Sequence, residues 1–178
     1  MNELPIVAEI PAVEAILPRW REALGADYIP YRNHLYRMLH FFRALNGADP
    51  EGEARAAVAA VFHDLGIWSD HTFDYLEPSA RRAVEHLGES DPGREEVVAM
   101  IVEHHKIRPY RGNPRVEAFR RADLVDVSLG LVRFGLPREY VRKVKQAFPN
   151  AGFHQRLVQL FGQRLRTHPF SPAPMMKF

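Results

Sequence analysis

Imidazole and carboxylate side chains at four places along this sequence could together hold a divalent metal ion. The densest signal is Val61-Phe62-His63-Asp64-Leu65-Gly66, where an apolar run ends in an adjacent imidazole and carboxylate and is then stopped by glycine. Successive helical positions point about 100° apart. One ion can therefore accept both side chains only near a helix end, where the second leans inward, and the carboxylate could also bridge two ions. His34 lies in the aromatic amphipathic segment Tyr31-Arg32-Asn33-His34-Leu35-Tyr36-Arg37-Met38. Asp123 shares a helical face with Phe119 and Val116, and a carboxylate on an apolar stripe is costly unless paired or metal-bound. Asp126, one turn further on, either competes for that role or supports it from behind. His104 and His105 follow Val97, Val98, Ile101 and Val102, so one of them should face inward.

Each element has a bland reading by itself. A His-Asp pair is often a surface pair, and a histidine on an apolar face is often bonded to a backbone carbonyl. Taken together, four separate helices would have to place an imidazole or an acid on their buried stripes for unrelated reasons. The chain has no cysteine, which excludes disulfides, cysteine-ligated zinc and thiol nucleophiles, so any metal must use imidazole and carboxylate.

The elements that must carry these residues are helices. At 178 residues the chain suits one domain with a sizeable core. Prolines punctuate it, since proline cannot donate inside a helix but fits its first turn. Asp49-Pro50, Asp91-Pro92 and Asn113-Pro114 read as a capping side chain followed by proline at the first helical position, with Glu77-Pro78 and Leu136-Pro137 as weaker versions. Apolar spacing between these marks predicts helices near 8–24, 31–46, 51–65, 75–88, 93–106, 114–133, 137–148 and 152–166. The expected class is an all-α, single-domain bundle over 1–178. The tail 167–178 carries three prolines and reads as an extended arm. Its Phe170, Met175, Met176 and Phe178 could dock across a groove of the domain or pair two copies as a homodimer.

The net charge of +2 is too small to argue for nucleic acid or a membrane surface, but Lys106, Arg108, Arg111 and Arg115 form a local cluster that could hold a phosphate. The stretch at the N-terminus lacks a basic start followed by an uninterrupted apolar run, and no run approaches the roughly 18 apolar residues of a membrane span. A cytoplasmic location is expected.

With His34, His63-Asp64 and Asp123 in this order along the chain, each on its own predicted helix, the sequence resembles the HD superfamily over roughly residues 30–130. The segment Trp68 to Ser79 is also similar to one found in small HD-domain proteins. The resemblance implies a helical bundle holding one divalent ion (Mn, Fe, Co, Ni, Zn or Mg), or two, through His34, His63, Asp64 and Asp123. His104 would be the first extra ligand, followed by His105, with His71 and His86 less favoured. It further implies a metal-dependent phosphohydrolase acting on a nucleotide or another small phosphate ester, with Asp64 orienting a metal-activated water. Lys106, Arg108 and Arg111, just beyond His104-His105, could clamp a phosphate, the bland reading of at least two of them being a solvated basic loop. Glu77, in Asp74-Tyr75-Leu76-Glu77-Pro78-Ser79, reads either as part of a helix-capping segment or as a base or ligand beside the metal. The Gly-Tyr-Pro tripeptide of the cyclic-dinucleotide phosphodiesterase branch is absent. Dinuclear iron oxygenases and hydrating enzymes also occur in this superfamily, and a non-catalytic metal-binding sensor or interaction domain is the remaining alternative.

Overall fold

The computed structural model describes residues 4–171 and 174–176. Among them the chain is an all-α bundle whose central helix, α3 (Tyr28–Asn46), is buried on nearly every face. A helix apolar all round belongs in a core rather than at a surface. Packed against it are α4 (Pro50–Phe62) and α8 (Pro114–Val127), while α7 (Arg94–Glu103) packs on α4, α8 and α6 (Leu76–Leu87). The alanine-rich inner face of α4, with Ala56, Ala57, Ala59 and Ala60 buried, lets its neighbours approach closely. Among the described residues no helix is long and apolar enough to cross a membrane.

Helix starts follow the proline signals. Asp49 caps α4 by accepting from the Gly52 amide at 3.1 Å, with Pro50 in the first turn. Asn113 caps α8 by accepting from Arg115 at 2.8 Å, with Pro114 next. Asp91 caps a turn just ahead of its helix, accepting from the Gly93 amide at 2.7 Å, so α7 begins two residues later than Pro92 suggests.

Several boundaries differ from expectation: α3 begins three residues early and α7 ends three residues early. The stretch predicted as one helix over 8–24 is broken into α1 (Pro11–Ile16), a 3-10 turn (Leu17–Trp20) and α2 (Arg21–Leu24), because Pro18 cannot continue the α-helical bonding. The helix predicted over 51–65 ends at Phe62, and a turn leads into the short α5 (Gly66–Ser69). The helix predicted over 114–133 ends at Val127. There Leu129 takes a left-handed conformation (φ 57°), its amide donates to the Asp126 carbonyl, and Gly130 donates to that of Val125. Leu129 takes the first left-handed position and Gly130 (φ 82°) only the second, which hides the stop from the sequence. The last two helices, α9 (Arg138–Ala147) and α10 (Phe153–Thr167), lie where expected. In the arm Met175 is buried, but Met176 is exposed and Phe170 fully so, docking on nothing among the described residues; Phe178 lies outside them.

Candidate metal centre

The four helices α3, α4, α7 and α8 each bring part of one buried cluster. His34 projects from α3 and Asp123 from the inner stripe of α8, with Val116 and Phe119 buried on the same face. His63 and Asp64 sit on the turn that ends α4, and His104 and His105 on the turn that ends α7, so both pairs lie where the backbone leaves the helix and adjacent side chains can converge. His34 and His63 are fully buried, and Asp64, His104 and Asp123 are at most 5% exposed.

The imidazoles share one orientation. His34 Nδ1 lies 2.7 Å from Asp126 Oδ2, His63 Nδ1 lies 2.7 Å from the Ala60 carbonyl, and His104 Nδ1 lies 2.6 Å from the Ile101 carbonyl. These acceptors demand a proton on Nδ1, which in the neutral ring leaves Nε2 with a lone pair aimed inward. His34 Nε2 then faces His63 Nε2 across 3.2 Å. Two neutral rings in this tautomer cannot bond one another, so either a proton, which the raised pKa of His63 favours, or a cation must lie between them. Asp123 Oδ1 stands 3.6 Å from His34 Nε2 and 3.9 Å from His63 Nε2, while the Asp64 oxygens stand 3.3 Å from His63 Nε2 and 3.4 Å from His104 Nε2. Asp64 Oδ1, Asp123 Oδ1 and His104 Nε2 are buried without a hydrogen-bond partner. Unpaired buried groups of this kind cost free energy, and a cation among them removes the cost.

The separations suit one ion. Donors each about 2.0–2.1 Å from a metal at tetrahedral or octahedral angles stand roughly 3 Å apart. His34, His63 and Asp64 form one group able to hold a metal, and Asp64, His104 and His105 form a second, with Asp64 common to both.

The electrostatics carry the same demand for positive charge. Burial opposes a charge on His63, yet the carboxylates of Asp64 and Asp123 raise its pKa to about 9. Burial likewise opposes ionisation of Asp64, but His63 and His104 hold it well below the carboxylate range. Burial pushes Asp123 upward, only partly offset by the histidines. His105 is held well below its ordinary value by burial and by the adjacent His104.

Asp126 supports the cluster from behind. Its carboxylate takes the His34 Nδ1 proton and pairs with Arg37 through Nε at 2.5 Å and Nη2 at 2.8 Å. Arg37, itself buried, also donates to the carbonyls of Phe148 and Pro149, tying the α9–α10 connection to α3. Phe153, at the start of α10, stacks on His34 with ring centroids 4.2 Å apart. Sequence reading passed over Arg37 and Tyr75. A charged residue one turn from His34 on a helix this apolar was the available signal for the first.

Other candidates lie elsewhere. Glu77 is exposed in the first turn of α6, and the structure does not bring it to the cluster, because Tyr75 and Ser79 occupy the inward positions on either side. His86 is exposed, with its ring 5.5 Å from Phe62 rather than among the ligands. His71 lines a cleft of ≈ 830 Å³ beside Trp68 and α10. Lys106 pairs with Glu103 at 3.2 Å and lies over the Tyr110 ring, Arg108 and Arg111 are exposed, and Arg115 is bound to Asp49 and Glu51 at the far end of α4. Of the four cations, Lys106 and Arg115 are thus paired with carboxylates.

No family model matches the chain, and comparisons with curated proteins and with solved structures found no match. The site stands on its geometry.

Proposed function

We propose that this chain is a metal-dependent hydrolase of the HD type, acting on a nucleotide or another small phosphate ester. The observation that carries the reading is the pair of Nε2 atoms 3.2 Å apart on His34 and His63, both with Nδ1 committed elsewhere and both flanked by buried carboxylates. The order of His34, His63-Asp64 and Asp123 along the chain supports it. A bound divalent ion would lower the pKa of a water toward neutrality and polarise a phosphoryl oxygen. Asp64, shared by the two triads, would orient that water. Burial of the cluster excludes bulk solvent, which strengthens each of these interactions. Lys106, next to His105, is the nearest cation in sequence for a phosphate, and it would have to leave Glu103 to reach one.

Elemental analysis of protein purified without chelator tests the metal directly. Near-stoichiometric metal is expected in the wild type and loss of it in His63→Ala and Asp64→Ala. Turnover of at least one member of a nucleotide and phosphomonoester panel by the loaded protein is the second expectation. Stoichiometric metal with no turnover would favour a sensor over an enzyme.

The second triad favours one other reading, a dinuclear iron oxygenase with Asp64 bridging. It requires two irons per chain and oxygen uptake; a single ion under iron-replete conditions rules it out.

A further inference from the structure

The segment Asp74–Ser79 enters the centre through the residues that flank Glu77. Gly66 makes this approach feasible. A Cβ at that position would lie 2.9 Å from the Tyr75 carbonyl oxygen, 3.0 Å from Tyr75 Cβ and 3.1 Å from Ser79 Oγ. The Gly66 amide in turn donates to Ser79 Oγ at 3.0 Å. The start of α6 is therefore clamped onto the turn that carries His63 and Asp64.

Clamping places the buried Tyr75 hydroxyl 2.5 Å from His105 Nε2 and beside Asp64, with the Tyr75 ring 6.4 Å from that of His104. The hydroxyl thus stands among the members of the Asp64–His104–His105 triad. His34, His63 and His104 each offer Nε2 to the interior, whereas His105 has its Nε2 engaged by the phenol. The direction of that bond does not matter. If the phenol donates, it consumes the nitrogen lone pair; if the imidazole donates, the nitrogen carries a proton and has no lone pair to offer. Either way His105 Nε2 cannot bind an ion while the bond lasts.

We infer that Tyr75 is a latch on the second triad, so that one ion is held tightly at His34, His63 and Asp64 and a second enters only when the Tyr75–His105 hydrogen bond breaks. The inference rests on the metal-centre reading above, and it makes the number of ions a property of one phenol. Tyr75 is a positioning residue in this role, acting through His105.

Equilibrium dialysis against Co²⁺ with elemental analysis tests it on the full chain. Tyr75→Phe keeps the buried ring and removes only the hydroxyl. The wild type should take up one tight Co²⁺, and Tyr75→Phe should bind a second about tenfold more tightly than the wild type does, the scale of one lost hydrogen bond. His105→Asn should abolish the second ion and keep the first, and should do so in the Tyr75→Phe background as well. Two tight ions in the wild type, or a second affinity unchanged in Tyr75→Phe, overturns the latch. A second ion weakened in Tyr75→Phe overturns it too, since the phenol would then be a ligand. No uptake by the wild type, at a first site that His63→Ala leaves equally empty, overturns the metal centre itself.

Discussion

His34 works through both of its nitrogens: Nδ1 is held by Asp126, and Nε2 looks into the centre. A carboxylate behind the cluster can therefore govern the nitrogen that faces into it, by fixing the tautomer of His34 and the rotation of its ring. Asp126→Asn should weaken binding of the first ion by about 10–100-fold with the fold retained, as read by competition with a chelator. Unchanged affinity would show that ring stacking by Phe153 is sufficient to aim His34. Arg37→Met should cost stability, because it leaves Asp126 buried without its counter-charge. The expected loss is about 3–5 kcal/mol in urea unfolding, and a loss under about 1 kcal/mol would mean that His34 alone compensates Asp126. At this scale the sequence showed which residues carry metal-binding atoms. It left Asp126 undecided between ligand and support, since both roles place a carboxylate on the same stripe of α8. Arg37 settles it by occupying both carboxylate oxygens.

Helix ends, more than helices, build the centre. The turn after α4 and the turn after α7 each present two adjacent side chains, and both turns are tied down by short local bonds from His63 and His104 to their own preceding carbonyls. Gly66 follows the first of these turns, where its lack of a side chain admits the start of α6. Gly66→Ala should destabilise the protein by about 1–3 kcal/mol in chemical denaturation, the usual cost of overpacking a close contact against backbone. Neutral behaviour would show that α6 can shift at no cost. The proline and cap signals located most helix starts, because Asp49 and Asn113 act within a few residues of themselves. The glycine signal failed at the end of α8, where Leu129 adopts the left-handed conformation itself and the glycine comes one residue later. Glu77 was singled out for its chemistry, but the position of α6 turned Tyr75 inward and left Glu77 in solvent.

For the whole molecule, a bound metal would be linked to the fold, since an ion that binds only the folded chain stabilises it by mass action. At a free ion concentration a hundred times the dissociation constant the gain is about 2.7 kcal/mol, on the order of 5–10 °C in melting temperature for a chain of this size. Chelation should lower the melting temperature of the wild type by about that much and leave His63→Ala unaffected; an equal shift in both would mean that the ion acts elsewhere. Acid stability has a separate source. Burial opposes ionisation of Glu117, but Arg120, the Tyr110 amide and Arg121 lower its pKa from 4.5 to about 2. Its folded pKa is depressed, so its contribution is complete above about pH 4.5 and lost as the pH falls through about 2. The stability difference between wild type and Glu117→Gln should accordingly be full at pH 6 and close toward pH 2 in urea titrations. A difference that stays constant with pH would show that the Glu117 charge is not what holds the Tyr110–Arg121 region. By itself the sequence determined the helical class, most helix starts and the side chains able to bind a metal, because these follow from periodicity, capping and residue chemistry within one or two turns of chain. Only the tertiary structure decided that Asp126 stands behind His34, that Lys106 pairs with Glu103, and that Tyr75 rather than Glu77 meets His105. Those choices depend on how α3, α6, α7 and α8 are rotated against one another, and that rotation is set by packing between residues far apart in the chain.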